Sequence, residues 1–101
     1  MAVQTRTDTF AALRACFAAD LALLIGGQPP RDATPTTFIN LVEEARDVLG
    51  SSSLGHWQDA SEDLDRAADY LTDALTNPEC GQRSLLARAR THLRDAIATA
   101  S

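Results

Sequence analysis

The chain has 101 residues, which suits one domain with a thin core, because a chain of this length buries only about 60–65% of the surface that its unfolded form exposes. The formal net charge is −5, which argues against general binding to nucleic acids or anionic membranes, since that binding needs cations that neutralise phosphates. Leucine and alanine supply most of the apolar residues, and no stretch alternates apolar and polar residues as a strand does. We therefore predict an all-α, single-domain antiparallel bundle of about four helices.

The first predicted helix spans residues 8–25. Asp8 or Thr9 can cap its start by accepting hydrogen bonds from unpaired backbone N–H groups. Gly26 can end it by adopting a left-handed conformation. A stripe of large apolar residues at helical spacing is expected to face the core: Phe10, Leu13, Phe17, Leu21 and Leu24.

This helix carries more apolar surface than one surface helix needs, because most of its remaining circumference is also apolar. Two explanations fit. Either the helix is central in its own bundle, or a second stripe contacts another chain, where one patch can serve both partners of a two-fold dimer. We favour the dimer. The candidate oligomer interface is an alanine stripe: Ala11, Ala15, Ala18 and Ala22.

The second predicted helix spans residues 35–49. Thr34 is a plausible N-cap, and Pro35 suits the first helical position because its missing N–H would be unpaired there anyway. Gly50 is expected to end the helix. The predicted core face consists of Phe38, Leu41, Val42, Ala45, Val48 and Leu49.

The third predicted helix, residues 57–76, has the most regular amphipathic pattern in the chain. We interpret its acidic face as solvated surface, with docking to a basic partner as the alternative. The predicted apolar face is Trp57, Ala60, Leu64, Ala67, Ala68, Leu71, Ala74 and Leu75. The predicted acidic face is Asp59, Glu62, Asp63, Asp65, Asp69 and Asp73.

The fourth predicted helix spans residues 79–98, and its start is open between Asn77-Pro78 and a point near Gln82. Its expected core face is Leu85, Leu86, Ala89, Leu93, Ala96 and Ile97. Three arginines line one edge of that face, and they are the candidate anion or partner contacts: Arg83, Arg90 and Arg94. We interpret them as ion-pair partners of the third helix, because a short turn makes the two helices antiparallel neighbours. A contact with a phosphate or another anion is the alternative.

No pattern of catalytic or metal-binding residues is evident. His56 and His92 lack metal-ligand spacing, and the acidic helix has no Glu-x-x-His pair. Cys80 with either histidine would come nearest to a catalytic pair, but nothing in the sequence brings these groups together. We predict no catalytic residue, no metal site and no cofactor.

Compartment and origin are inferred from composition. Cys16 and Cys80 form no CxxC pair, and we interpret both as reduced thiols in a cytoplasmic protein. Arg14 and Asp20 interrupt the apolar run at residues 10–25, so it fits neither a signal peptide nor a membrane span, and we expect no membrane partner. The absence of lysine beside 18 alanines is typical of a GC-rich bacterial genome.

From these observations we predict a non-catalytic interaction protein, such as an adaptor, regulator or accessory subunit, that forms a homodimer and could also bind another protein. The alternative is a small-molecule binder with an apolar pocket between helices, beside the 50–56 loop with His56 and Trp57. A third hypothesis is nucleic-acid binding, which the net charge opposes. It would use four arginines: Arg83, Arg88, Arg90 and Arg94.

Overall fold

The computed structural model describes residues 9–28, 34–77 and 81–101. These residues form four helices and no strand, which confirms the predicted all-α bundle. The helices are α1 (Phe10–Leu24), α2 (Pro35–Gly50), α3 (Gly55–Thr76) and α4 (Gln82–Ala100).

Two threonines cap the first two helices, as their sequences predict. The side chain of Thr9 accepts a hydrogen bond from the backbone N–H of Ala12 at 3.1 Å. The side chain of Thr34 accepts one from the backbone N–H of Thr37 at 3.2 Å, and Pro35 takes the first helical position. Each cap satisfies a backbone donor that has no partner within its helix.

The end of α1 is a Schellman motif. Gly26 has a φ of 72°, in the left-handed region that favours glycine. Its N–H donates to the carbonyl of Leu23 at 3.2 Å, and the N–H of Gly27 donates to the carbonyl of Ala22 at 2.8 Å. These two bonds satisfy carbonyls that the helix leaves unpaired, so the predicted end at Gly26 is confirmed.

Several helix boundaries differ from the predicted ones. Helix α1 begins at Phe10 instead of residue 8 and ends at Leu24. Helix α3 begins two residues early, at Gly55, because the N–H groups of Trp57 and Gln58 both donate to the carbonyl of Leu54. Helix α4 runs from Gln82 to Ala100, so it begins at the later of the two predicted starts and extends past the predicted end at residue 98.

Asn77 ends α3 instead of starting α4. Its backbone N–H donates to the carbonyl of Asp73 at 2.9 Å. The start of α4 follows Gly81, whose φ is 68°. Residues 78–80 lie outside the described residues, so the outcome for Pro78 and Cys80 is not given by the structure.

Three contacts between α3 and α4 show that the two helices are antiparallel. Trp57 near the start of α3 reaches Ala100 at the end of α4, and Gln82 at the start of α4 reaches Ala74 near the end of α3. A contact between Asp63 and His92 lies between them. As residue numbers rise along α3, the numbers of the contacting residues fall along α4, so the two helices run in opposite directions.

The four helices form a ring. The α3–α4 contact is the most extensive, followed by α2–α3, and α1 closes the ring with smaller contacts to α2 and α4. Among the described residues, the backbones of the diagonal pairs α1–α3 and α2–α4 do not come close, although all four helices contribute side chains to one core. Helix α1 is therefore diagonal to α3.

Leucine and alanine fill the core, as expected from composition. The predicted faces are largely confirmed, and the fully enclosed large side chains are Phe38, Leu13, Leu21, Leu49, Leu64, Leu71, Leu86, Leu93 and Val42.

The prediction of a core position is wrong for two residues, because Val48 is 40% exposed and Leu75 is 39% exposed. Val48 and the buried Ile39 lie on opposite edges of the apolar face of α2. Arg46 lies on the same edge as Ile39, two turns further along, and its side chain reaches α3. Helix α3 covers α2 more fully than α1 does, so the Ile39 edge is better covered than the Val48 edge. Leu75 lies in the last turn of α3, where the antiparallel α2 is only beginning.

Candidate interaction surfaces

The structure divides the predicted alanine stripe of α1 into two parts. Ala18 and Ala22 are 5% and 1% exposed, so they belong to the interior of this chain. Ala11 and Ala15 are exposed. The four alanines therefore do not form one accessible surface.

A different row of residues forms the outward side of α1. Positions 12, 16, 19 and 23 are spaced four, three and four residues apart, which places them on one side of a helix. The side chain of Ala12 is half-buried, and the others are exposed. Together with the neighbouring Ala15, we call this row the outer α1 face: Ala12, Ala15, Cys16, Ala19 and Leu23.

None of the five side chains of the outer α1 face is charged, and the exposed Asp20 lies at its edge, beside Cys16 and Leu23. Leu23 is 74% exposed, the highest value among the large apolar residues that the structure describes as exposed. Scattered exposed apolar residues are ordinary, but a contiguous row along a helix marks an interaction site more often. The sequence showed that α1 is apolar nearly all round, but it could not show which side its neighbours leave open.

A second group of residues lies along the line where α3 meets α4. The Nδ1 atom of His92 is 3.0 Å from Oδ1 of Asp63, and both side chains are 24% exposed. The His92 ring stacks on Tyr70, with ring centroids 5.7 Å apart and planes 14° apart. The guanidinium carbon of Arg88 is 5.9 Å from the Tyr70 centroid. We call these four residues the α3–α4 seam.

The seam corrects the prediction that all six carboxylates of α3 point into solvent, because Asp63 faces α4. An aspartate beside Nδ1 favours the imidazole tautomer with its proton on Nδ1, which leaves Nε2 as an acceptor. Such a pair resembles the base half of a catalytic triad, but a triad also needs a nucleophile beside Nε2. The contacts that the seam makes instead join two helices.

The predicted arginine edge of α4 points elsewhere. Arg88 and His92 are the residues of α4 that meet α3 at the seam. Each residue of a helix is rotated by about 100° from the one before it, so Arg83, Arg90 and Arg94 lie on another side of α4. Nε of Arg94 lies 3.6 Å from Oδ1 of Asp95, on the same helix. The pairing of this edge with α3 stays a prediction.

The carboxylate of Asp65 pairs with α2 instead. Nη1 of Arg46 donates to Oδ1 of Asp65 at 3.2 Å, and its Nε donates to Oδ1 of Asp47 at 3.0 Å. The hydrogen bond to Asp47 raises the pKa of the Arg46 guanidinium, with Asp65 adding to the effect and partial burial opposing it. An open polar groove of about 470 Å³ lies beside this ion pair, between the end of α2 and the start of α3.

Another groove, of about 440 Å³, lies where α1 ends and α2 begins. Ile25 and Leu41 supply apolar surface, and Asn40 and Glu44 supply polar groups one helical turn apart. The described residues that line it are Ile25, Gly27, Gln28, Thr37, Asn40, Leu41 and Glu44.

The pocket predicted beside the 50–56 loop would need an accessible Trp57. The indole instead packs partly buried against the core, and its Nε1 donates to the backbone carbonyl of Ala100 at 3.0 Å. His56 is exposed and stands edge-on to Trp57, with centroids 6.4 Å apart. Neither groove described above is lined by these two residues.

Within residues 9–28, 34–77 and 81–101, no group of three or more His, Cys, Asp or Glu side chains could hold a metal ion. None of the helices in this part of the chain has the length and apolar character to cross a bilayer. Comparisons with protein-family models, curated proteins and solved structures gave no match to the chain.

Proposed function

We propose that this chain is a non-catalytic interaction protein that pairs with a second copy of itself through the outer α1 face. The observation that carries the proposal is an uncharged apolar row along a 15-residue helix, with Leu23 at 74% exposure near one end. The sequence likewise predicts an interface on α1, but on the neighbouring alanine stripe.

The shape of the outer α1 face suits another helix. Its small residues allow a close approach, near the short end of the usual interaxial distance of about 8–10 Å. In an antiparallel pair centred between positions 17 and 18, Leu23 lies opposite Ala12 of the partner subunit, and Cys16 lies opposite Ala19 of the partner subunit. A large side chain then meets a small one at each end, whereas a parallel pair would place both copies of Leu23 at the same end.

The charge distribution favours the same side of the bundle. Helix α1 carries one cation and one anion, Arg14 and Asp20, so it has no net charge. The exposed carboxylates of α3 lie on the helix diagonal to α1. Pairing through α1 keeps the two acidic faces of a dimer well apart, and with salt screening beyond about 10 Å their repulsion becomes small.

The expected affinity is modest. A two-fold dimer buries Leu23 of both copies, which contributes about 3–6 kcal/mol in all, whereas association costs at least about 4 kcal/mol in lost freedom. One 15-residue helix also covers less area than the roughly 1,200–2,000 Å² of a standard interface. We therefore expect a weak, reversible dimer whose population rises with protein concentration.

Light scattering after size exclusion, over a series of loading concentrations, tests this proposal. The wild-type mass is expected to rise toward twice the monomer mass, and Leu23→Ser is expected to hold it at the monomer value without lowering thermal stability. Leu75→Ser is the matched control, because Leu75 is also an exposed leucine but lies on α3. A wild-type monomer at every concentration would end the dimer proposal.

The second candidate function is small-molecule binding, which the groove between α1 and α2 favours. Its volume of about 440 Å³ is within the usual range of ligand pockets, about 300–1,000 Å³. An apolar body could contact Ile25 and Leu41, with a hydrogen-bonding or cationic group near Asn40 and Glu44. A thermal shift with a ligand panel that Glu44→Gln reduces would support this function, and no shift with any ligand would remove its support.

A further inference from the structure

The arginine edge of α4 consists of Arg83, Arg90 and Arg94. Its direction follows from the buried residues beside it. Ala89 is buried, with Arg88 one position before it and Arg90 one position after it, so the two arginines are rotated by about 100° from Ala89 in opposite directions. Arg88 is the one that reaches α3. Arg90 therefore lies on the side of α1, the second neighbour of α4 in the ring, and Arg94 follows the buried Leu93 in the same way.

The arginine edge and the outer α1 face point in the same direction. In a ring of four helices, the core direction of each helix is the diagonal of the ring. A side chain rotated by about 100° from the diagonal of α4, toward α1, is then nearly parallel to the outward direction of α1. Arg83 and Arg94 are exposed, and Arg90 is half-buried. The contact of Arg94 with Asp95 is long, at 3.6 Å, and both side chains are more than half exposed.

The middle of α1 is roughly level with Arg94 along the bundle. Three contacts connect the levels of successive helices: Ile25 with Leu41, Gly50 with Ser61, and Asp63 with His92. These contacts can be followed from the end of α1 through α2 and α3 to α4, because each helix reverses the direction of the one before it. They place the middle of α1 beside the part of α4 that contains Arg90 and Arg94.

The proposed dimer brings two arginine edges together on one flank. The two-fold axis of an antiparallel helix pair is perpendicular to both helices, so the rotation leaves α4 of the two copies on the same flank. Because each edge points outward beside α1, Arg94 faces Arg94 of the partner subunit across this flank. The guanidinium groups of the two copies repel each other there, and an anion between them would replace the repulsion by attraction.

The chemistry of the edge favours phosphate. Helix α4 carries four arginines and one carboxylate, whereas α3 carries six carboxylates and one arginine, so the cations of this acidic chain are concentrated on one helix. A guanidinium group matches phosphate because it forms two parallel hydrogen bonds to its oxygens. A chain of phosphates presents oxygens on several sides, and it can therefore accept hydrogen bonds from both copies at once.

We propose that the paired arginine edges form a binding site for a polyvalent phosphate anion, and that this anion strengthens the dimer. The site rests on the proposed function, because it exists only where two copies pair through the outer α1 face. Arg90 and Arg94 of both copies bind the anion beside the two-fold axis. An inorganic phosphate chain and the triphosphate of a nucleotide share this chemistry. By mass action, either anion lowers the protein concentration at which pairing occurs.

Analytical ultracentrifugation of the wild-type chain in a phosphate-free chloride buffer, with and without sodium tripolyphosphate, tests the proposal. At about 1 mM tripolyphosphate the dimer dissociation constant is expected to fall at least about fivefold, since the anion binds the dimer and not the monomer. Sodium chloride at the same ionic strength is the control, because screening also weakens repulsion. Equal strengthening by sodium chloride would overturn the site.

A nucleoside triphosphate at the same concentration distinguishes the two sources of phosphate. Equal strengthening by the nucleotide and by tripolyphosphate would show that the phosphate chain alone is recognised, as proposed. Strengthening by the nucleotide without any effect of tripolyphosphate would mean that the base or sugar is bound instead, and the proposal would be wrong.

Two arginine variants locate the site on α4. Arg94→Gln is expected to reduce the effect of tripolyphosphate to less than about twofold, while the anion-free dimer stays at least as stable because a repelling pair is lost. Arg88→Gln is the matched control, since Arg88 lies on the same helix but on the α3 side, and it should keep the full effect. A full effect in Arg94→Gln, or an equal loss in both variants, contradicts the assignment.

Failure of the anion site and failure of the dimer give different results. A wild-type dimer whose dissociation constant does not respond to tripolyphosphate would overturn the site and leave the dimer proposal standing. A wild-type chain that stays monomeric with and without the anion would end both. Leu23→Ser is expected to stay monomeric at concentrations where tripolyphosphate makes the wild type dimeric, and an anion-dependent dimer of this variant as strong as that of the wild type would place the anion on another surface.

Discussion

Gly50 and Ser61 meet where α2 ends and α3 completes its second turn, and a side chain at position 50 would have to displace the hydroxyl of Ser61. A Cβ atom on Gly50 would lie 2.8 Å from Oγ of Ser61. The same hydroxyl donates to the carbonyl of Arg46 at 2.9 Å, so it cannot rotate away without losing a hydrogen bond. The absence of a side chain at Gly50 therefore lets the Ser61 hydroxyl keep its hydrogen bond to α2.

Gly50→Ala is expected to destabilise the protein despite the higher helix propensity of alanine. Alanine would gain roughly 0.5–1 kcal/mol in an open helix. Against this, forcing a methyl group into a packed contact costs about 1–3 kcal/mol. A net loss of about 1 kcal/mol in the free energy of unfolding is expected, measured by urea titration with circular dichroism.

Two further variants separate this clash from a general intolerance of substitution. In Gly50→Ala combined with Ser61→Ala, the nearest side-chain atom becomes a Cβ at about the ordinary contact distance of 3.6 Å, so the double variant should lose less than the sum of the singles. Gly55→Ala is the control, because nothing lies within 4 Å of its added Cβ. Additive losses for the double variant would show that the contact is not the cause.

The indole of Trp57 fastens the start of α3 to the end of α4, across 43 residues of sequence. Trp57→Phe keeps an aromatic ring but removes the N–H donor, and it is expected to lower the free energy of unfolding by about 1 kcal/mol. The amides in the last turn of α4 should exchange faster as well. His56→Ala, at the exposed neighbouring position, should change neither quantity, and unchanged exchange in α4 after Trp57→Phe would contradict the role of the bond.

Features governed by neighbouring residues could be predicted from the sequence. The caps at Thr9 and Thr34 and the stop at Gly26 depend on hydrogen bonds within three or four residues, so a short motif contains their cause. Amphipathic periodicity likewise located the buried faces of α3 and α4. The start of α4 was harder to predict because Asn77 and Gly81 can both interrupt a helix. The backbone hydrogen bond from Asn77 to Asp73 shows that Asn77 ends α3, which leaves Gly81 as the residue before α4.

Features that depend on how helices pack could not be predicted. Because α1 is apolar nearly all round, its pattern did not fix its rotation, and the exposed row proved to include Cys16 and Leu23 instead of Ala18 and Ala22. The pairing of Asp63 with His92 requires the register of α3 against α4, which is set by contacts tens of residues apart. A helical wheel places Asp63 only at the border of the acidic face.

The Asp63–His92 contact is expected to stabilise the fold by a measurable but small amount. Both side chains are about one quarter exposed, so solvent screens the interaction, and a coupling of about 0.5–1 kcal/mol is expected from a double-mutant cycle with Asp63→Ala and His92→Ala. The pair Arg94 and Asp95 is the control, because it is longer and more exposed and should show no measurable coupling. Equal coupling energies in the two cycles would mean that neither partial burial nor the link between two helices strengthens the Asp63–His92 contact.

Cys16 offers a direct chemical measurement on the outer α1 face. Its thiol is exposed, so a thiol reagent should modify it in the native protein without prior unfolding, in a Cys80→Ser background that leaves one reactive site. If α1 pairs with a second copy, the modification rate per thiol should fall as protein concentration rises, because the dimer covers Cys16. Leu23→Ser should remove that concentration dependence while leaving the rate at low concentration unchanged, since the substitution weakens pairing and not the exposure of the monomer. A rate that is the same at all concentrations in the unsubstituted α1 would place any self-association on another surface.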